Sequence, residues 1–177
     1  MRVTGELNIR ETGPAERDAL LGIYPEAFPG EDLVPLVRDL LTEGAQVLSL
    51  AAYRGDALAG HIAFTACGIG ENDGSCALLA PLAVVPGYQR QGIGTALIRA
   101  GLRQLKSLGA AKVFVLGDPA YYSLTGFVPE REVEPPYPMP EEWADAWQSL
   151  KVSRKAKVGA GKLSLPDFWM KPELWGP

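Results

Sequence analysis

Histidine is almost missing from this chain. His61 is the one imidazole among 177 residues, and it is accompanied by only two cysteines, Cys67 and Cys76. Two thiols and one imidazole make a poor ligand set for a metal centre, and no Cys-x-x-Cys spacing exists to begin one. Long apolar runs are missing as well, and none approaches the length of a membrane-spanning helix. The leading Met1-Arg2-Val3-Thr4-Gly5-Glu6 is polar and has no apolar signal-like stretch. There is no excess of positive charge. Lys and Arg number 17 against 21 Asp and Glu, a net charge of −4, which disfavours nucleic acid or an anionic membrane as a whole-surface partner. These gaps lead to the expectation of a cytoplasmic protein without a metal. A disulfide between Cys67 and Cys76 would fit across a hairpin. Nothing else points to secretion, so two small buried strand residues are expected instead.

What is present is an apolar share of 47%, enough to build the core of one domain spanning residues 1–177. Leu7 to Arg10 reads as a first strand. Pro14 suits a helix start, with Glu16 and Asp18 near the positive end, and that helix is expected to run to about Tyr24. Leu33, Val34, Leu36, Val37, Leu40 and Leu41 recur at helical spacing until Gly44. Gln46–Tyr53 and Ala57–Ile69, joined by Arg54-Gly55-Asp56, read as an antiparallel hairpin, and Cys76–Val85 as the next strand of a meander. After Gly94, Leu97, Ile98, Leu102, Leu105 and Leu108 line one face of a helix closed by Gly109. Lys112–Leu116 is then a short strand, parallel to Cys76–Val85 by the βαβ rule. Pro119 to Leu124 reads as a short helix, and Gly126-Phe127-Val128 as extended chain. Beyond it, Pro135, Pro136, Pro138 and Pro140 mark irregular chain, Glu141–Leu150 a short helix, and Lys162–Trp169 a last strand.

One segment combines these signals in a way that suggests chemistry. A strand ends at Pro86-Gly87-Tyr88, and Gln89-Arg90-Gln91-Gly92-Ile93-Gly94-Thr95 leads into a helix. A glycine-rich turn at a helix start leaves several backbone N–H groups free, and the helix dipole adds positive potential there. Gly92 and Gly94 permit close backbone approach, and Arg90 can add a charged hydrogen bond. Such a loop holds phosphate. A dinucleotide fingerprint would need a small residue where Leu97 stands, and a P-loop would need Gly-Lys-Ser/Thr. A nucleotide-binding module is therefore a lesser reading, and an ordinary turn into a helix is the bland one.

The run Leu82-Ala83-Val84-Val85-Pro86-Gly87-Tyr88-Gln89-Arg90-Gln91-Gly92-Ile93-Gly94-Thr95-Ala96-Leu97 resembles the acetyl-CoA motif of the GNAT superfamily of N-acetyltransferases, Gln/Arg-x-x-Gly-x-Gly/Ala. Leu116-Gly117-Asp118-Pro119-Ala120-Tyr121-Tyr122-Ser123-Leu124-Thr125-Gly126-Phe127 is similar to the second motif of that family, Tyr-x-x-x-Gly-Phe. The wording Gly-Asp-Pro-x-Tyr-Tyr, and Gly60-His61-Ile62-Ala63-Phe64-Thr65, are similar to the YhbS-like branch. The likeness covers roughly residues 6 to 130 and is loose beyond Glu130, which leaves 131–177 as an atypical C-terminal segment.

The resemblance implies an α+β fold in α/β/α layers. Its sheet would be mixed and mostly antiparallel, with a splayed parallel strand pair and helices on both faces. It implies an acyl-CoA-dependent N-acyltransferase with acetyl-CoA as co-substrate. The acceptor would be the primary amine of a small molecule or a protein, attacking directly in a ternary complex. A non-catalytic CoA-binding sensor is the alternative. By the same resemblance, backbone groups of Leu82, Ala83 and Val84 would pair with pantetheine, and Gln89, Arg90, Gln91, Gly92, Ile93, Gly94 and Thr95 would hold the pyrophosphate. Tyr122 stands where the family places its general acid, its bland role being a packed aromatic. A phenol is protonated at neutral pH and can donate to a departing thiolate. Tyr121 is a packing or rim residue.

Asp118 is first a helix cap and second a group that contacts pantetheine or orients the amine. His61 reads as structural before it reads as a base. No carboxylate stands on Ala77–Val85, so Glu71, Asp73, Glu26, Glu31 or a water is left to take the amine proton. Trp143, Trp147, Trp169 and Trp175 are read as packing the tail onto the sheet or onto a second subunit, and secondarily as an acceptor pocket. Lys151, Arg154, Lys155 and Lys157 form a solvated basic loop, with the CoA 3′-phosphate or an acidic acceptor as the sharper reading.

Overall fold

The computed structural model describes residues 5–42, 46–70, 72–154 and 158–176, with backbone alone for 72–74. The chain divides into two compact units, Met1–Phe64 with Pro81–Gly101, and Thr65–Ala80 with Leu102–Pro177. The basic residues Lys155 and Lys157, the stop at Gly44 and the carboxylate of Glu71 lie outside the described residues.

In the first unit, strand β1 (Leu7–Glu11) pairs antiparallel with β2 (Val47–Arg54), from Leu7↔Arg54 to Glu11↔Leu50. A two-residue turn, Gly55-Asp56, joins β2 to its neighbour β3 (Ala57–Ile69). Gly55 sits at φ +58°, the left-handed geometry that such hairpin turns demand. Pro14 opens a single 3-10 turn, and helix α1 (Arg17–Ala27) follows. The helix outlasts the expected stop at Tyr24. Pro25 lies inside it, where the missing N–H deletes one bond near the C-terminal end without stopping the turn. Helix α2 is Val34–Thr42. The helices bury Leu20, Ile23, Tyr24, Leu36, Val37 and Leu40. Ile23, Tyr24 and Val37 form one cluster with Ala83, with Leu58 and Val85 packed against it. Ala83 and Val84 belong to β4 (Asn72–Val84), which is the other neighbour of β3.

Helix α3 (Ile93–Ser107) buries Leu97, Ile98 and Leu105 as its spacing predicts. Leu108 does not join them. It lies past the last turn, 72% exposed, and Gly109 at φ +87° ends the helix. Gly101 sits mid-helix for a packing reason, since a Cβ there would lie 2.1 Å from the buried Phe64 ring.

In the second unit, β5 (Lys112–Leu116) runs parallel to β4, as the βαβ rule predicts. Their ladder spans only Cys76↔Lys112 to Leu78↔Phe114. The other edge of β5 pairs along its whole length with β8 (Trp147–Lys151), and β8 also pairs with β6 (Val128–Pro129). Strand β7 (Val133–Glu134) runs parallel to β9 (Gly161–Ser164), which pairs antiparallel with the end of β3.

The tail is where expectation and structure part. Glu141–Ala146 is 3-10, and Trp147 to Lys151 is strand rather than the expected helix. Trp147, Gln148 and Ser149 are all buried, so this strand has no alternation to betray it. The last expected strand stops at Ser164, and Asp167–Trp169 is a 3-10 turn after Pro166. Three of the four tryptophans, Trp147, Trp169 and Trp175, serve packing. Trp147 stacks on Phe114 at 5.5 Å and meets Trp175 edge-on at 5.9 Å, and Trp169 lies 6.0 Å from Trp175. Each indole N–H has an acceptor: Val133 O for Trp147, Thr65 Oγ1 for Trp169 and Trp169 O for Trp175. Satisfied indoles of this kind can be buried without loss.

Candidate acyl-CoA site

The loop after β4 is built almost wholly from main chain. Val85 is tied by its amide to Ala59 O at 2.9 Å. Pro86–Tyr88 make a 3-10 turn, and Gln89 is extended at φ −67°, ψ 157°. Two left-handed residues follow, Arg90 at φ +63° and Gly92 at φ +81°. Glycine adopts that geometry freely, but for arginine it is uncommon and costs about 1 kcal/mol. Positive-φ residues in a turn can bring backbone N–H groups to one side and form a concavity for an anion. Ala96 N is bonded to Gly92 O at 3.0 Å, so the amides of Ile93, Gly94 and Thr95 precede the helix's own ladder. They stand at the positive end of α3. Gln89 to Gly92 are exposed, and a Cβ on Gly92 would meet nothing within 4 Å. Space is open above Gly92, whereas Ile93 and Gly94 are buried.

The two glutamines are turned back onto the loop. The Gln89 side-chain amide donates to Val84 O at 3.0 Å, and that of Gln91 donates to Gly87 O at 3.3 Å. Both side chains therefore brace the turn. Arg90 is exposed and its guanidinium is the cation of the loop. Of the strand residues expected beside the loop, Ala83 is fully buried, and Leu82 and Val84 are half-buried.

Tyr122 belongs to the second unit. It ends the one-turn helix α4 (Pro119–Tyr122), whose start is capped by Asp118, with Oδ1 accepting from Ala120 N at 2.9 Å. Asp118 thus fills the capping role ranked first for it. The Tyr122 ring is held edge-on by Tyr121 at 5.1 Å and Phe127 at 5.8 Å. Gly117 makes room for it, since a Cβ there would lie 2.5 Å from the ring. Gly126, at φ +99°, turns the chain so that Phe127 can reach it. Burial, with a smaller push from Tyr121, raises the phenol well above its ordinary value. It stays protonated at any working pH, as a proton donor must. Among the described residues no group hydrogen-bonds its hydroxyl.

Glu26 and Glu31 are exposed on the first unit, and the side chain of Asp73 lies outside the described residues. Cys67 and Cys76 are free, buried thiols, and burial raises both. His61 is fully buried between two hydroxyls, Tyr24 Oη at 2.6 Å and Ser49 Oγ at 2.7 Å. Burial lowers its pKa to about 4, so it is neutral at pH 7. Sequence reasoning missed the pair Lys112 and Glu130, buried in the second unit. Glu130 also accepts from Ser149 Oγ at 2.6 Å and from the amides of Glu132 and Val133, both at 2.8 Å. Among the described residues no cluster of His, Cys, Asp and Glu could hold a metal, and no helix is long and apolar enough to cross a membrane.

The model of the Acetyltransferase (GNAT) family matches residues 17–127, a span that runs from α1 through the loop to Phe127. The uncharacterized N-acetyltransferase YjhQ of Escherichia coli (strain K12) is 42% identical over 166 residues, 88% of this chain and 91% of its own. The crystal structure of the GNAT family N-acetyltransferase YhbS from Escherichia coli, in complex with CoA, superposes with a TM-score of 0.82 at 26% identity, over 93% of this chain and 92% of that one. A GNAT family acetyltransferase from Brucella melitensis in complex with acetyl-CoA gives a TM-score of 0.74 at 27% identity, over 93% of this chain and 98% of its own.

Proposed function

The chain belongs to the GNAT family of acetyltransferases, and from that premise we propose that it moves an acetyl group from acetyl-CoA to a primary amine by direct attack in a ternary complex. The observation that carries the proposal is the loop Gln89–Thr95. It has two left-handed residues, unladdered amides at the start of α3, and open space above Gly92. That arrangement suits two linked phosphates, and Arg90 adds a charge-assisted bond. Solved relatives hold CoA or acetyl-CoA, which supports the same ligand here.

In this reading the amine lone pair attacks the thioester carbonyl carbon. The carbonyl electrons move to oxygen, and main-chain groups of Leu82, Ala83 and Val84 pair with pantetheine and face that oxygen. The oxyanion collapses, the C–S bond breaks, the sulfur takes a proton from the Tyr122 hydroxyl, and the phenolate regains one from water. The amine proton leaves through water or through exposed Glu26 or Glu31, since Ala77–Val85 hold no carboxylate. The acceptor is an amine on a small molecule or a protein. The free thiols of Cys67 and Cys76 suit a reducing cytoplasmic setting.

Release of CoA thiol from acetyl-CoA over a panel of primary amines tests the reading. Amine-dependent release is expected. Acetyl-CoA binding without release from any amine would favour the non-catalytic sensor. Tyr122→Phe should lower kcat by about 100-fold while the CoA dissociation constant moves less than about twofold. An unchanged kcat would remove Tyr122 from the chemistry.

A further inference from the structure

The single imidazole of the chain takes no part in the reaction above, yet it is the best-connected buried polar group of the first unit. His61 stands on β3. Its Nδ1 lies 2.6 Å from Tyr24 Oη on α1, and its Nε2 lies 2.7 Å from Ser49 Oγ on β2. Thr12, just past β1, donates from Oγ1 to Ser49 Oγ at 2.8 Å and from its amide to Ser49 O at 3.0 Å. One row of side chains therefore crosses from the edge of β1 through β2 and β3 and ends on helix α1. His61 is 0% exposed and Tyr24 is 1% exposed. A neutral imidazole has one donor and one acceptor, and here each nitrogen meets a hydroxyl that can play either part. Both nitrogens are satisfied without charge.

Tyr24 carries that restraint onward. It shares the apolar cluster of Ile23, Val37 and Ala83, and its ring stacks with Phe28 at 6.1 Å and 15°. Val85 and Leu58 pack against the same cluster. The turn of α1 that His61 holds is therefore the turn that packs with Ala83 and Val85, on either side of Val84. An apolar side chain at position 61 would fill the volume but leave the rotation and register of that turn loose. Directional bonds set both.

We infer that His61 is a positioning residue for acyl transfer: through Nδ1 it fixes Tyr24, and through Tyr24 it fixes α1 against Ala83 at the acyl-bearing end of β4. This rests on the role proposed for Leu82, Ala83 and Val84. The pyrophosphate loop is no part of the row, so cutting the row should lower turnover far more than acetyl-CoA affinity.

Three substitutions separate this from a general packing role. In His61→Asn the amide group falls at the place of Nδ1 and keeps the bond to Tyr24. In His61→Gln it falls at the place of Nε2 and keeps only Ser49. Tyr24→Phe removes the hydroxyl and leaves the ring. Two readouts are taken below the melting transition of every variant: steady-state kinetics with acetyl-CoA and the responsive amine, and hydrogen exchange of the α1 amides. His61→Gln and Tyr24→Phe should lower kcat about 10-fold with the acetyl-CoA KM within about twofold, and should speed exchange in Leu20–Ala27. His61→Asn should stay near wild type in both. If Asn and Gln at position 61 behave alike, both intact or both impaired, the choice of nitrogen does not matter and the inference is overturned. If the wild type acetylates no amine, the acetyl-transfer reading fails on its own, and the exchange pattern alone decides the tether.

Discussion

The two compact units solve the same problem, polar groups inside an apolar core, in opposite ways. The first unit uses a neutral row, Thr12, Ser49, His61 and Tyr24. The second uses an ion pair, Lys112 with Glu130, finished by Ser149 and two backbone amides. A neutral row needs no counter-charge, and each member can be trimmed at modest cost. A buried ion pair is secure only while both ions and all their hydrogen bonds are present. The first arrangement suits a place where helix register matters, the second a place where β5, β6 and β8 must be locked together.

The largest expected effect falls on the ion pair. Glu130→Ala strands a buried ammonium and removes the acceptor of three other donors, so it should cost about 3–5 kcal/mol in urea unfolding. Lys112→Met should cost less, because the carboxylate keeps Ser149 Oγ and the two amides. Equal losses would mean that the two charges, rather than the whole set of bonds, decide stability.

Acid should next divide the two units by pH window. His61 is held at about pKa 4 by burial, against an ordinary 6.5. The unfolded chain therefore binds the extra proton between those values, and stability falls as pH drops through that window, by about 3 kcal/mol. Burial pushes the Glu130 carboxyl up, but Lys112, Ser149 and the amides of Val133 and Glu132 outweigh it and bring it to about 2 from 4.5. Its contribution is complete above 4.5 and fades only as pH falls toward 2. Urea midpoints at pH 7, 5.5 and 4 should decline in the wild type and stay flatter in His61→Asn. A wild type with no decline above pH 4.5 would contradict the burial of a neutral imidazole.

A smaller effect calibrates both against pure packing. Gly101→Ala gains about 1 kcal/mol in helix propensity but drives a methyl into the Phe64 ring, so a net loss on the order of 1 kcal/mol is expected. A higher melting temperature would mean that the ring yields.

Much of this was written in local sequence. The turn before α3 follows from Gly92 and Gly94 between a strand and an amphipathic helix, and the parallel pairing of β4 with β5 follows from that helix being a crossover. Gly126 and Phe127 pointed to the surroundings of Tyr122. Other features have no local signal. Nothing about an arginine announces the left-handed backbone of Arg90. Trp147-Gln148-Ser149 shows no alternation because both faces of β8 are covered, and its polar members are satisfied by Gly117 O, Ala146 O and Glu130, which no periodicity reveals. His61 stood out as a residue and Lys112 did not; the partners of both lie on other elements, and only the fold brings them to hand.

The central claim is that main-chain amides at the start of α3 hold the CoA pyrophosphate. The most direct measurement is calorimetric titration of CoA into the wild type and into Gly92→Glu, each checked for an unchanged melting profile. The wild type should bind, and the variant, with a carboxylate standing in the phosphate space, should lose affinity by at least about 100-fold. Binding of equal strength by both proteins would show that the pyrophosphate lies elsewhere.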